Sequence, residues 1–163
     1  MVRANMIVVG MADLNVTKSP GILTTLGLGS CIGIALYDGI AKVAGLAHIM
    51  LPDSKAIQNN SNKAKFADTA LVKLIADMER IGANRRYLKA KIAGGAQMFA
   101  FNATNDNLRV GDRNAEATKR VLAVHGIPLV ASETGDSFGR TVELYAEDGR
   151  FVIKAIGQGI RTL

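Results

Sequence analysis

The chain carries one cysteine, Cys31, and two histidines, His48 and His125. A thiol beside an imidazole is an activated nucleophile: the base takes the thiol proton and the sulfur attacks an electrophilic carbon. Cys31 follows Leu26-Gly27-Leu28-Gly29-Ser30, a stretch with two glycines and little bulk, and it opens an apolar run. Backbone N–H groups exposed in such a loop can hold an oxyanion, and small neighbours leave room for a substrate. The plain alternative is a core cysteine, because free cysteine is among the most buried residue types.

His48 lies in the otherwise apolar run from Val43 to Pro52. By strand alternation Ala44, Leu46, His48 and Met50 share one face. A core histidine with a satisfied ring is the alternative here. Topology favours the reactive reading. Strands expected over 31–38 and 42–51, joined by a tight turn at Asp38-Gly39, run antiparallel. Pairing them symmetrically about Gly39-Ile40 sets His48 across from Cys31 within a residue or so, and an imidazole there would lower the thiol pKa. His125 precedes Gly126 at an expected helix end, where capping and the helix dipole account for it. A third group should orient the imidazole. Asp53, Thr24 and Thr25 are the candidates, with Asp38 at the far turn; the residues alone do not choose among them.

The elements that must position these groups read as one domain over residues 1–163. A chain of this length buries roughly 70% of its unfolded surface, enough for a full core. With 48% hydrophobic and 21% charged residues it is not a disordered chain. One cysteine excludes an internal disulfide, and Cys31, His48 and His125 lack the close spacing of a metal site; a mechanism built on an activated thiol needs no metal or organic cofactor. The clearest helix has Asn62 as its cap and Ala67, Ala70, Leu71, Leu74, Ile75, Met78 and Ile81 on one face, stopping at Gly82. A second helix is expected over 114–125. Strands are expected over 6–12, 21–26, 31–38, 42–51, 88–94, 128–133, 141–147 and 150–156, the last two joined by Asp148-Gly149. Early consecutive strands with later, separated helices predict an α+β fold of layered mixed β-sheets with about two main helices. A dinucleotide fold is disfavoured, because the glycines at 27, 29 and 33 lead into a strand and not a helix. The polar segment 53–62 reads as a mobile loop beside the site.

Met6 to Ala12 is a short apolar run ended by Asp13, and it reads as a strand and not a signal sequence. The uncharged stretch Ser19–Tyr37 is interrupted by glycines and hydroxyls, so it reads as two buried strands and not a membrane span. A cytoplasmic protein, not inserted in a membrane, is expected, and the N-x-[ST] matches at Asn15, Asn60 and Asn102 are then chance. The net charge is +6. Lysines and arginines are scattered, with one modest cluster at 85–91 and few aromatics, which argues against nucleic acid.

Thr25-Leu26-Gly27-Leu28-Gly29-Ser30-Cys31 and Ala47-His48-Ile49-Met50-Leu51-Pro52 together resemble the CheD family, chemoreceptor glutamine deamidases of bacterial chemotaxis. Lys65 to Ala70, Lys91 to Phe99, Val110-Gly111-Asp112-Arg113-Asn114 and Gly139 to Leu144 resemble the family in the same order. The resemblance implies a fold similar to the catalytic domain of cytotoxic necrotizing factor, Cys31 as nucleophile, His48 as base and then acid, and Thr25 as third catalytic residue. It implies hydrolysis of glutamine side chains in a chemoreceptor's cytoplasmic region through a γ-glutamyl thioester. Two alternatives go with it. One is a regulatory module that binds and stimulates a CheC-type phosphatase; the other is receptor methyl-ester hydrolysis by the same thiol.

Overall fold

The structure is a computed structural model and describes residues 5–97 and 109–163. Among the described residues ten strands form two five-stranded mixed sheets. One sheet has the order β1 (Met6–Val8), β3 (Ile22–Leu28), β8 (Arg140–Tyr145), β9 (Phe151–Ala155), β10 (Gly159–Thr162). The other has the order β2 (Asp13–Lys18), β5 (Val43–Ile49), β4 (Ile32–Asp38), β6 (Leu88–Gly94), β7 (Leu129–Thr134). Within them only β1 with β3 and β6 with β7 are parallel. Two helices, α1 (Ala67–Arg80) and α2 (Val110–Val124), pack on the second sheet. The expected α+β class of layered mixed sheets with two main helices is therefore what the chain adopts.

Alternation assigns each face of β4 and β5 to a separate core. Ile32, Ile34, Leu36, Val43, Ala47 and Ile49 pack with the apolar stripes of the two helices. Cys31, Ala35, Ala44 and Leu46 pack instead with Leu23, Val142, Leu144 and Ile153 of the first sheet. A strand covered on both faces needs no polar positions, which is why both segments are near-continuous apolar runs. Gly45 lets α1 approach closely: a Cβ there would lie 2.6 Å from Met78 Sδ.

The β4–β5 turn is set by Asp38. Its buried carboxylate accepts from the backbone N–H of Ile40 (2.9 Å), Ala41 (3.0 Å) and Asn84 (2.8 Å). Burial works against the charge, but the three N–H bonds prevail and hold the carboxyl below its ordinary value.

Several expectations are revised. Two strands, β2 and β10, lie in segments that carry no strand pattern; both are edge strands with mostly solvent-facing or half-buried residues. Asn62 caps a short 3-10 turn (Lys63–Lys65) by accepting from the Ala64 N–H, and α1 begins later, at Ala67. The second helix begins at Val110, a full turn before Asn114. The segment 53–62 is not free of structure: Ser54 Oγ donates to the Asp68 carboxylate (2.7 Å), Asn60 to the Ser54 carbonyl (3.0 Å) and Asn62 to the Ala12 carbonyl (3.1 Å). Met98, Phe99 and Asn102, noted in the sequence, lie outside the described residues.

Candidate active site

Cys31 stands where the chain passes from one sheet to the other. After Thr25 the pairing of β3 with β8 slips between Thr25 and Leu28, forming a bulge with Gly27 at φ +71°. That conformation suits glycine, and the bulge turns the chain out of the first sheet. Gly29 and Ser30 then bridge to β4 in the second. Cys31 is buried, with 7% of its surface exposed.

The β4–β5 register differs from the symmetric expectation. Ile32 pairs with Ile49 and Gly33 with His48, because the connecting turn is two residues longer than a minimal one. His48 is therefore opposite Gly33, and Cys31 is its diagonal neighbour, two residues along the same face. Diagonal neighbours in an antiparallel pair remain within side-chain reach. Gly33 leaves the directly opposed position without a side chain.

The imidazole has a defined tautomer. Thr25 Oγ1 is 2.6 Å from the Val9 carbonyl and 2.7 Å from His48 Nδ1. A carbonyl only accepts, so the single hydroxyl proton of Thr25 goes to Val9. The Thr25 oxygen then accepts from His48 Nδ1–H. Nε2 is left with its lone pair, buried and without a hydrogen-bond partner among the described residues. Burial pushes the His48 pKa below 6.5, so the ring is neutral at pH 7.

The thiol departs from expectation. Burial pushes the Cys31 pKa above 9.0, with its own backbone N–H pulling weakly the other way. Burial thus favours the neutral thiol beside a neutral imidazole, whereas the sequence reading has the imidazole lower the thiol pKa. A hydroxyl, unlike a carboxylate, adds no negative charge to hold an imidazolium.

The loop around Cys31 is held by backbone contacts. Gly95 N–H donates to the Cys31 carbonyl (2.9 Å) and Ala96 N–H to the Gly29 carbonyl (2.8 Å). Gly94, at φ +112°, packs directly on the Cys31 carbonyl, where a Cβ would collide. The N–H groups of Ser30 and Cys31 have no backbone acceptor among the described residues. The other candidates are engaged elsewhere. Asp53 caps a turn through the Lys55 N–H, Thr24 donates to the Val142 carbonyl, and Asp38 holds the far turn. His125 closes the C-terminal end of α2. Among the described residues no three His, Cys, Asp or Glu side chains cluster as metal ligands. No described helix is long and apolar enough to cross a membrane.

One residue near the site escaped the sequence reading. Asn114, on α2, is fully buried and donates from Nδ2 to the carbonyls of Ser30 (3.0 Å) and Met50 (2.9 Å). The sequence carried no signal for it: the helix was expected to begin at Asn114, where asparagine is an ordinary cap, whereas α2 begins a turn earlier and places it inside the helix.

Comparison with known proteins adds the family. The chain is 60% identical over 153 residues to the "Probable chemoreceptor glutamine deamidase CheD" of Caldanaerobacter subterraneus subsp. tengcongensis, covering 94% of each. The chain belongs to the CheD family. The match to the CheD family description, "CheD chemotactic sensory transduction", spans residues 50–155 and so begins beyond Thr25, Cys31 and His48. Likeness to other CheD proteins extends over those residues' part of the chain in bulk. The "Chemoreceptor glutamine deamidase CheD" of Halalkalibacterium halodurans is 53% identical, over 93% of this chain and 94% of its own. A crystal structure of the Bacillus licheniformis hypothetical protein YfiH is similar at TM-score 0.46 and 18% identity, over 75% of this chain and 50% of that one.

Proposed function

We propose that this CheD protein is a chemoreceptor glutamine deamidase acting through Cys31, His48 and Thr25. The observation that carries the reading is the Thr25–His48 hydrogen bond, which leaves the Nε2 lone pair unpartnered on the sheet face that Cys31 shares. The names of the CheD relatives supply the substrate class, a glutamine side chain on a chemoreceptor.

The steps follow from the groups. As the carboxamide enters, Nε2 of His48 takes the Cys31 proton and the sulfur bonds to glutamine Cδ. The C=O π pair moves onto oxygen, which accepts from the Ser30 and Cys31 N–H groups. The imidazolium gives its Nε2 proton to the amide nitrogen, the C–N bond breaks, and ammonia leaves a γ-glutamyl thioester. Water then attacks the same carbon while Nε2 accepts its proton. The C–S bond breaks, the sulfur regains that proton, and glutamate is released. Throughout, Thr25 accepts from Nδ1–H, a bond that strengthens while the ring is charged.

The test is mass spectrometry of a chemoreceptor cytoplasmic fragment incubated with the wild-type chain and with Cys31→Ala. Deamidation adds about one mass unit at a glutamine and releases ammonia, whereas methyl-ester hydrolysis removes a methylene. Undiminished deamidation by Cys31→Ala overturns the mechanism. Retained capture of a CheC-type phosphatase by the same variant supports the binding role the family resemblance implies, independent of the chemistry.

A further inference from the structure

We propose that Asn114 is a positioning residue that sets the spacing between the nucleophile and its base; the inference rests on the deamidase reading above. The β4–β5 ladder ends at the Ile32–Ile49 pair. Cys31 lies just past this end, where backbone pairing no longer fixes the distance between the two strands, and His48 lies one rung inside it, paired with Gly33; the next N–H along β5, that of Met50, turns away to the Lys65 carbonyl. The Asn114 amide stands in place of the missing rung. Its two N–H donors go to the carbonyl of Ser30, the residue before Cys31, and to that of Met50, two residues after His48. One rigid planar NH2 group thus joins both strand ends.

The orientation is unambiguous, because a flipped amide would set Oδ1 against two carbonyl oxygens. Oδ1 itself has no partner among the described residues although it is buried. The side chain is therefore held for its donors at some cost to its acceptor. The platform beneath is equally fixed. Gly111, on the first turn of α2, approaches the loop so closely that a Cβ would lie 2.6 Å from the Ala96 oxygen, and Ala96 is the residue that donates to Gly29. Removing the staple lets the thiol and imidazole drift apart while leaving both present.

The experiment is a double-mutant cycle read by alkylation of Cys31 with iodoacetamide, in which no receptor takes part. In the wild type, the minor thiolate–imidazolium population gives a rate that is flat with pH between the two pKa values. In His48→Ala that limb is lost and the rate rises about tenfold per pH unit, as for a lone thiol. Asn114→Ala and Asn114→Asp are expected to lower or abolish the flat limb, and to have no further effect in the His48→Ala background. In the deamidation assay kcat should fall about 10- to 100-fold with KM nearly unchanged, as a misplacement of about 1 Å would do. An unchanged pH profile in folded Asn114 variants overturns the proposal, as does failure of both variants to fold, which would make Asn114 a folding residue. A wild-type chain that alkylates with a flat limb yet deamidates no receptor overturns the functional reading and leaves the positioning role standing.

Discussion

Thr25 and His48 belong to different β-sheets and share a 2.7 Å hydrogen bond, Thr25 accepting from Nδ1. That bond fixes a ring tautomer that no residue within the His48 sheet provides. Thr25 is fixed in turn by the Val9 carbonyl, just beyond β1. The chain Val9–Thr25–His48 is one relay of orientation with two protons, the Thr25 hydroxyl donating to Val9 and His48 Nδ1–H donating to Thr25.

Thr25→Val keeps the shape and removes the hydroxyl. It leaves Nδ1 and the Val9 carbonyl unpaired in the core, at a cost of about 1–3 kcal/mol of stability. Deamidation kcat should fall by about 10- to 100-fold as the ring loses its tautomer and orientation, while Thr25→Ser retains most of the rate. Ammonia release and thermal melts measure both. Equal rates for Val and Ser would remove Thr25 from the mechanism.

The pH profile follows from burial. The His48 pKa lies below 6.5 and that of Cys31 above 9.0. With the proposed Cys31–His48 pair neutral, kcat/KM should hold a broad plateau, falling on the acid side of the ordinary histidine range as Nε2 is protonated and changing again only on the basic side of the ordinary thiol range. Stability shares the acid limb. The histidine pKa is lower folded than unfolded, so its contribution is complete above 6.5 and is lost as pH falls through the folded value. An acid limb centred above pH 6.5 would show that the imidazole is not held neutral by burial.

Gly94→Ala should be severely destabilising. The position is at φ +112°, and the added Cβ meets the Cys31 carbonyl. Strain of this kind costs about 1–3 kcal/mol before the collision is counted. Whatever fraction folds has the Cys31 loop displaced, so its kcat, normalised to folded protein, should also drop. Gly82→Ala, at φ +111° with open space around its Cβ, is the control for backbone strain alone. Matching losses of activity in the two would refute the link to Cys31.

The net charge of +6 predicts steering toward an acidic receptor surface. Raising ionic strength from about 0.02 M to about 0.3 M should lower kcat/KM severalfold, since the screening length falls well below the size of the protein. The kcat should not change. A salt-independent kcat/KM would exclude steering.

What the sequence revealed, and what it concealed, divides along local and non-local lines. The apolar runs of β4 and β5 and the stripe of α1 were legible because each depends only on which faces are covered. β2, with Asp13, Asn15 and Lys18, and β10, with Gly159 and Arg161, were not, because edge strands are held by backbone pairing and need no apolar pattern. The shared face of Cys31 and His48 was readable from the hairpin. Their register was off by two, since the Asp38-capped turn runs longer than the tight turn assumed. Thr25 and Asp53 could not be separated from the residues alone, because the deciding contact crosses between sheets. Asn114 was hidden for the same reason: its partners are 84 and 64 residues away in sequence.

The seam between the sheets has a consequence for the life of the chain. Thr25 and Val9 come from one layer, His48 from the other, and Asn114 from the helices behind it. A nascent or half-melted chain that has closed only one of these contacts carries a thiol without a working base. Loss of activity on gentle heating should therefore precede loss of secondary structure.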